Sequence, residues 1–342
     1  MPSIIGLDLG NTSYRAVEVF SKSKSKNLTL EKAFVCSECV KENTKEAEEG
    51  FKHFIRDSGF ATRDVLLSLP ETKVFSTSVS LPFRDPKEIR NYLDIQGGKV
   101  FPKPVSEIVY SFQIVGPGEQ NKSENEISIV ACDRNFSESM FIKARSAGLR
   151  VLAVEPESHA VVRALMRNRT QAANEVDLIA NIGANDTDTM VIKNGYVSFS
   201  RNVALGGIAM TKAISSALAL SYEQAEAYKK SYGVEAGVLD DKVRKAILPV
   251  LESLINEIKR TMNFYFTRNN LCVFKRVVYT GGSSVMPGLL AYSAEMLDTE
   301  VELANPFEGL ILSPKLENQK DFLIANGPLF SVAIGLALRD FI

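Results

Sequence analysis

Two short segments of this chain combine an oxygen-bearing side chain, a glycine and a small polar turn in the same order. The first is Ile5-Gly6-Leu7-Asp8-Leu9-Gly10-Asn11-Thr12-Ser13; the second is Ala180-Asn181-Ile182-Gly183-Ala184-Asn185-Asp186-Thr187. Asp8 matches Asn181 and Gly10 matches Gly183 at one offset, about half of the 342 residues. A glycine-bearing turn between two strands lets backbone N–H groups approach a phosphate closely. Two such turns facing each other across a cleft clamp a polyphosphate from both sides. A carboxylate or amide at each strand end holds a hydrated Mg2+ or a water. A third segment, Val277 to Thr280 followed by Gly281-Gly282-Ser283-Ser284, reads as strand, Gly-Gly turn and helix. Its glycines let the backbone lie against a flat ring or a sugar. Each segment alone is an ordinary tight turn; their order and spacing carry the ligand reading.

The elements that must position these turns follow from periodicity. Strands are expected at Ile4–Leu9, Tyr14–Phe20 and Leu28–Phe34, with the polar Ser21–Lys26 connection as a solvated turn. A helix over 43–58 carries Ala47, Phe51 and Phe54 on one side, and strands follow at Asp64–Leu69 and Val74–Leu81. From about 82 to 150 the composition changes to an inserted unit of mixed α and β. It holds a helix at Pro86–Ile95, strands at Ile108–Val115 and Glu126–Cys132 around the polar Gly116–Asn125 loop, and a helix at Ser137–Ala147 before Gly148. Then come a strand at Val151–Val154, a helix at Ser158–Met166, and strands at Asp177–Asn181, Asp188–Ile192 and Tyr196–Asn202. Helices at Ile208–Ala219, Tyr222–Tyr232 and Asp240–Thr267, a strand at Arg276–Thr280 and a helix at Leu329–Asp340 complete an α/β chain.

Composition narrows the function. Lys+Arg 40 against Asp+Glu 41 gives a net charge of −1, which argues against nucleic-acid binding. The longest apolar run, Phe330–Leu338, is far shorter than the ~20 residues that span a bilayer. The N-terminus opens on a strand rather than a leader, so a cytoplasmic protein is expected. Cys36-Ser-Glu-Cys39 is a lone pair without a second one, and with Cys132 and Cys272 it is expected to hold ordinary thiols. Two histidines make a His-centred hydrolase or metal site improbable.

The three turn motifs resemble the phosphate-1, phosphate-2 and adenosine motifs of the actin, Hsp70 and sugar-kinase ATPase superfamily. Further stretches are similar to the PilM family of actin-like proteins in type IV pilus assembly. They are Val65–Pro70 through Ser80-Leu81-Pro82, Phe101-Pro102 with Glu107–Phe112, Val154-Glu155-Pro156, and Ala225-Glu226-Ala227-Tyr228-Lys229. The resemblance implies an actin-like ATPase (ribonuclease H-like) fold with two lobes around a nucleotide cleft. Lobe 1 would span 1–165 plus 325–342, with the insert at 82–150 as a 1C subdomain, and lobe 2 would span 166–324. The chain ends without the C-terminal amphipathic membrane helix of FtsA relatives, or the transmembrane helix of the secretion relative GspL, which favours the PilM family.

The resemblance also implies roles. ATP and Mg2+ are the expected ligands, with Asp8 and Asn181 toward the metal. Gly10, Asn11, Thr12 and Ser13 would offer N–H groups to the phosphates, and Arg15 sits where the family often has a lysine. Gly183, Asn185, Asp186 and Thr187 would form the opposing hairpin, and Gly281, Gly282 and Ser283 would face the adenosine. Glu226 and Lys229, three apart on one helix face, would touch ribose and adenine, or else form a surface ion pair. The expected partner is a PilN-like cytoplasmic N-terminal peptide seated beside the insert, with membrane association only through partners and self-association as a further trait of the fold. A sugar kinase or a filament-forming ATPase is the alternative.

Two departures from the superfamily bear on turnover. Asn181 stands at the phosphate-2 position, commonly Asp, and Ala153 stands two residues before Glu155-Pro156, where Asp is frequent. An amide binds water but takes no proton as a general base. Weak or absent hydrolysis is therefore expected. Restoring the acid with Asn181→Asp is expected to raise steady-state phosphate release from ATP; an unchanged rate would contradict this reading.

Overall fold

The computed structural model describes residues 3–22, 27–40, 44–117, 123–172, 174–269 and 272–341. The Ser21–Lys26 connection and the Gly116–Asn125 loop fall partly outside them. The chain opens with a hairpin of β1 (Ser3–Leu9) and β2 (Tyr14–Ser21), followed by β3 (Leu28–Cys36) and α1 (Thr44–Ser58). The apolar run of β4 (Asp64–Leu69) is buried at every residue and lies parallel to β1, as a central strand covered on both faces must.

A separate unit follows. β5 (Val74–Leu81), β6 (Ile108–Pro117) and β7 (Asn125–Asp133) form an antiparallel sheet in the order β5-β7-β6, with α2 (Pro86–Gln96) packed on it. Asp85 caps α2, its carboxylate accepting from the Lys87 amide at 2.8 Å, and Pro86 sits in the first turn. This unit has its own core, including Leu81, Ile89, Leu93, Phe101, Ile127 and Ile129. It takes in β5, so it starts at Val74 rather than at 82. At its other end α3 (Arg134–Ser146) begins three residues before the expected Ser137, because Asp133 accepts from the Phe136 amide as the cap. Met140 and Ala144 of α3 share one buried cluster with Ile5, Leu7 and Phe51, so this helix belongs to the first lobe.

β8 (Arg150–Pro156) then completes a six-stranded sheet beside β4, and α4 (Glu157–Met166) leads to the second lobe. There β9 (Glu175–Ile182), β10 (Thr187–Lys193) and β11 (Tyr196–Val203) precede α5 (Gly207–Leu218), α6 (Tyr222–Tyr232) and the long α7 (Lys242–Arg268). β12 (Val273–Thr280), α8 (Leu289–Leu297) and β13 (Glu300–Leu303) complete a five-stranded sheet in the order β11-β10-β9-β12-β13. The two sheets repeat one plan. β1 pairs antiparallel with β2 and parallel with β4; β9 pairs antiparallel with β10 and parallel with β12.

β14 (Leu310–Leu312) pairs with β3, so the chain rejoins the first sheet before residue 325. α9 (Lys320–Ala325) and α10 (Ser331–Leu338) follow. Every residue of α10 is buried, which suits its apolar character on all sides. It lies between β1 and α4: a Cβ on Gly6 would fall 1.9 Å from the Ala333 carbonyl oxygen, and one on Gly335 would fall 1.7 Å from that of Ala160. Among the described residues no single helix is long and apolar enough to cross a membrane.

One expectation is corrected. Cys36 and Cys39 are joined in a disulfide, while Cys132 and Cys272 are free and buried. The turn that ends β3 brings their Cα atoms to 5.6 Å, within bridging distance, and residue spacing alone did not disclose that. The close contact of α10 with α4 gives a test. Gly335→Ala is expected to lower stability by about 1–3 kcal/mol, because backbone rather than a flexible side chain must yield. A urea midpoint equal to that of the wild type would contradict it.

Candidate functional site

The two lobes enclose a cavity of about 950 Å³. The turn after β1 contributes Asp8, Gly10, Asn11, Thr12, Ser13 and Arg15; the turn after β9 contributes Asn181, Gly183 and Asp186. Glu226 and Lys229 of α6 and the Gly281-Gly282-Ser283 turn close it. Two expected residues do not line it. Asn185 is exposed at its hairpin turn. Thr187 is fully buried and donates its hydroxyl to the Leu205 carbonyl at 2.7 Å, because the antiparallel pairing turns it into the lobe.

Short backbone contacts knit the second-lobe side together. Gly183 O accepts from Ser283 Oγ at 3.1 Å and from the Gly207 amide at 3.0 Å. The Ile208 amide donates to Ala184 O at 2.9 Å. Gly281 adopts φ +85°, and a Cβ there would fall 2.6 Å from Asn181 Oδ1. Gly207, unforeseen from the sequence, begins α5 at the cavity wall, and a Cβ on it would fall 2.3 Å from Ser283 Oγ. The first amides of α5 are taken up by the β9–β10 turn and by Gly206, so what the helix end gives the cavity is its positive dipole, which favours an anion. A Gly-Gly pair immediately before an apolar helix pattern was the available signal.

Glu226 and Lys229 do not form a surface pair. Lys229 is buried and donates to Glu226 Oε2 at 2.6 Å, Thr211 Oγ1 at 2.8 Å and Gly207 O at 3.1 Å. Burial lowers the Lys229 pKa against the pull of Glu226. For Glu226 burial acts upward, but hydrogen bonds from Lys229 and Thr211 prevail and hold its pKa below the ordinary value. The pair anchors α6 to the start of α5 and leaves a fixed polar edge on the cavity.

Carboxylates gather on the side of the first turn. Asp8 is buried, with Arg15 Nε at 3.2 Å and the Ser68 hydroxyl donating at 3.2 Å. Burial pushes its pKa up against both partners. Asp8 pairs with Arg15 across β1 and β2, and Asn181 pairs with Asp188 across β9 and β10. The acid absent at 181 thus stands one strand over. Asp188 accepts from Asn202 at 2.7 Å, and its pKa is raised to about 7, chiefly by burial and then by Glu71 and Asp186. Glu157, the first residue of α4, also lines the cavity; burial, Asp8 and Asp188 raise its pKa well above the carboxylate range. Glu71 is held by the Ser158 amide at 2.8 Å. Sequence reading missed Glu157, Asp188 and Glu71, although Glu157 directly follows the Glu155-Pro156 signal.

These oxygens suit a hydrated hard cation, which would relieve the crowding that raises Glu157 and Asp188. Among the described residues no three His, Cys, Asp or Glu side chains are arranged to hold a metal ion by themselves. A Mg2+ here would take its remaining ligands from phosphates and water, as is usual for that ion.

A second cavity, of about 880 Å³, lies between the inserted unit and the first lobe. The β6 strand forms one wall over Val109–Gln113, and the end of β8 with α4 forms another through Glu155, His159 and Arg163. β6 is a sheet edge, so its outer backbone groups are free of ladder partners within its own sheet. Arg163 holds Glu155 in a two-pronged pair and also donates to Gly335 O at 2.8 Å. The β10–β11 turn of the second lobe, Asn194 to Val197, reaches the same cavity.

The family model "Type IV pilus assembly protein PilM" matches residues 6–341. Among characterised proteins, cell division protein FtsA of Bacillus subtilis (strain 168) is 26% identical over 146 residues, 37% of this chain and 33% of that protein. FtsA of Neisseria meningitidis serogroup B (strain ATCC BAA-335 / MC58) is 27% identical over 178 residues, 46% of this chain and 41% of that one. The matches thus span less than half of either relative. Among solved structures, the PilM-PilN type IV pilus biogenesis complex is similar at TM-score 0.84 and 23% identity, covering 99% of this chain and 98% of that chain. Ethanolamine utilization protein EutJ from Carboxydothermus hydrogenoformans follows at TM-score 0.58 and 16% identity, covering 99% and 90%. MreB 5 of Spiroplasma citri, bound to AMPPNP, has TM-score 0.52 and 14% identity, covering 96% and 99%. These likenesses show the actin-like ATPase fold.

The buried acid gives a pH signature. Unfolded, Asp188 titrates near 3.8; folded, near 7. Between those values the folded state alone holds the proton, so stability falls as pH rises from about 4 to about 7. Asp188→Asn keeps the oxygen that accepts from Asn202 and removes the titration. Its thermal midpoint is expected to decline less over that range and to exceed the wild type at pH 8 by roughly 3 °C or more. Parallel declines would contradict this assignment.

Proposed function

The chain belongs to the type IV pilus assembly protein PilM family, and on that premise we propose a nucleotide-binding scaffold that docks the cytoplasmic N-terminal segment of a PilN-type protein. The observation that carries the nucleotide half is the convergence of two glycine turns, the α5 terminus and the Gly281-Gly282 turn on one cavity. Gly10 to Ser13 and the Gly183–Asp186 turn lie on opposite sides, so a polyphosphate is gripped between the two turns; the Gly183 amide itself is spent on Asp186 O at 2.9 Å and closes its turn. Arg15 adds a charge, and the Gly207 amide end of α5 adds a dipole. The Glu226–Lys229 edge and the Gly281-Gly282 turn take the nucleoside, where glycine leaves room for a ring. Mg2+, when bound, would neutralise phosphate charge; Asp8, Asn181, Glu157 and Asp188 are the oxygens placed to hold its waters.

The second cavity is the docking groove in this reading. The free edge of β6 offers main-chain hydrogen bonds to an extended peptide, and the apolar side chains beside it offer pockets. Val109 is 40% exposed and Val115 is 37% exposed on this strand. The protein would then sit at the inner membrane through its partner.

One observation favours turnover as a second reading. Glu157 and Asp188 bring to the phosphate side two carboxylates with raised pKa values, suited to general-base work that Asn181 cannot do. Calorimetric titration with Mg-ATP separates the readings. The scaffold predicts a saturating one-site isotherm that returns to baseline, weakened about tenfold in Lys229→Met, which cuts the ties from α6 to Gly207 and Thr211 of α5 and removes the buried cation from beside Glu226 at the cavity edge. Sustained heat after saturation would establish turnover, and no heat at all would contradict nucleotide binding.

A further inference from the structure

We propose that Cys36 and Cys39 are a reversible redox site for cellular thiols, and that the disulfide form holds the rim of the nucleotide cavity in the shape that binds nucleotide. The effect on nucleotide rests on the function proposed above. The two cysteines stand three residues apart and are bridged. Among the described residues no group of His, Cys, Asp or Glu makes them part of a metal site. On the proposed function the chain works among cytoplasmic thiols. Disulfides there are uncommon, and those that form are mostly transient and serve catalysis or sensing.

The two sulfurs differ in access. Cys36 ends β3 and is half-buried, with Ser37 and Glu38 exposed beside it, whereas Cys39 is 5% exposed. A thiolate from solvent therefore attacks the Cys36 sulfur. The Cys36–Cys39 bond breaks, and Cys39 leaves as a thiolate and takes up a proton. A second thiolate attacks the reductant's sulfur in the mixed disulfide, so Cys36 leaves and the two reductant sulfurs are joined. Two thiols are oxidised and one disulfide is reduced, and the reverse sequence closes the bridge again. The Cys39 amide donates to Cys36 Sγ at 3.1 Å, a bond that favours a thiolate at Cys36 and so the closing reaction.

The bridge sits at the cavity rim. Ser37 and Val40 line the nucleotide cavity from its turn. Cys36 pairs across β2 and β3 with Tyr14, the residue that follows the Gly10–Ser13 turn. Cys39 shares a buried cluster with Tyr14, Phe51 and Phe54. Helix α1 meets it at backbone distance: a Cβ on Gly50 would fall 2.4 Å from the Cys39 carbonyl oxygen. The disulfide thus ties the strand beside the first phosphate turn to α1 and fixes the Ser37–Val40 rim between them. Opened, the turn regains backbone freedom, and a nucleotide must order it again on binding.

The test equilibrates the intact protein in buffers running from reduced to oxidised glutathione. Thiols are counted by alkylation and peptide mass spectrometry, and AMPPNP affinity is measured at both ends. The Cys36–Cys39 pair is expected to pass reversibly between dithiol and disulfide, while the buried Cys132 and Cys272 stay thiols. The disulfide form is expected to bind AMPPNP at least about threefold more tightly. In Cys39→Ser, Cys36 is expected to take up glutathione. In Cys36→Ser, Cys39 is expected to stay a thiol and AMPPNP affinity to be equal in both buffers. Glutathione taken up by Cys39 instead would contradict attack at Cys36. A pair that keeps one state across all the buffers overturns the redox site. A wild-type affinity independent of the buffer, or a dependence that survives in Cys36→Ser, overturns the hold on the rim while the proposed function stands. If AMPPNP binds neither form, the proposed function falls and the hold on the rim with it, and the thiol count still decides the redox site.

Discussion

The contact of Gly335 with Ala160 sets the geometry on which the rest depends. It seats α10, buried on all sides, against α4 at backbone distance, while Gly6 lets β1 approach the other side of α10. The first lobe is thereby held rigid directly beneath the cavity. Pro328 and Leu329 just before this helix and Val332 within its first turn line the cavity, and Glu157 lines it from the start of α4. Arg163 locks the same region by joining Glu155 to the Gly335 carbonyl. Any ligand held between the lobes is thus held against two helices that cannot separate without opening a core.

Above that base the chain uses one strand plan twice with different chemistry. At the end of β1 the cross-strand pair is Asp8 and Arg15; at the end of β9 it is Asn181 and Asp188. The first half carries acid and cation, the second amide and acid. A carboxylate therefore stands beside each turn despite Asn181, and Glu157 adds another from the connecting helix. The weak hydrolysis expected from Asn181 and Ala153 rested on two positions, whereas the cavity distributes its carboxylates over four elements.

Much of this was legible in the sequence because periodic elements advertise themselves. The α6 helix carries its own capping box of Ser221 and Gln224 and falls where its pattern placed it. The buried runs of β1, β4 and β9 read as strands for the same reason, and the common offset of the two turns exposed the internal repeat. What stayed hidden required partners distant in sequence. The alternation of β5 fits a half-covered strand in any sheet, so its place in the inserted unit was not visible. β13 and β14 are too short to show a period. Thr187 and Asn185 looked equivalent to their neighbours until register turned one inward and the other out. Glu157 and Asp188 became candidates only through burial beside other acids.

The central claim is that both half-sites grip one polyphosphate at once. Amide hydrogen exchange with and without AMPPNP addresses it directly. The account predicts slowed exchange together at residues 10–13 and 183–187, at Gly207 and at residues 281–283. Slowing confined to one lobe, or none at any of them, would contradict it.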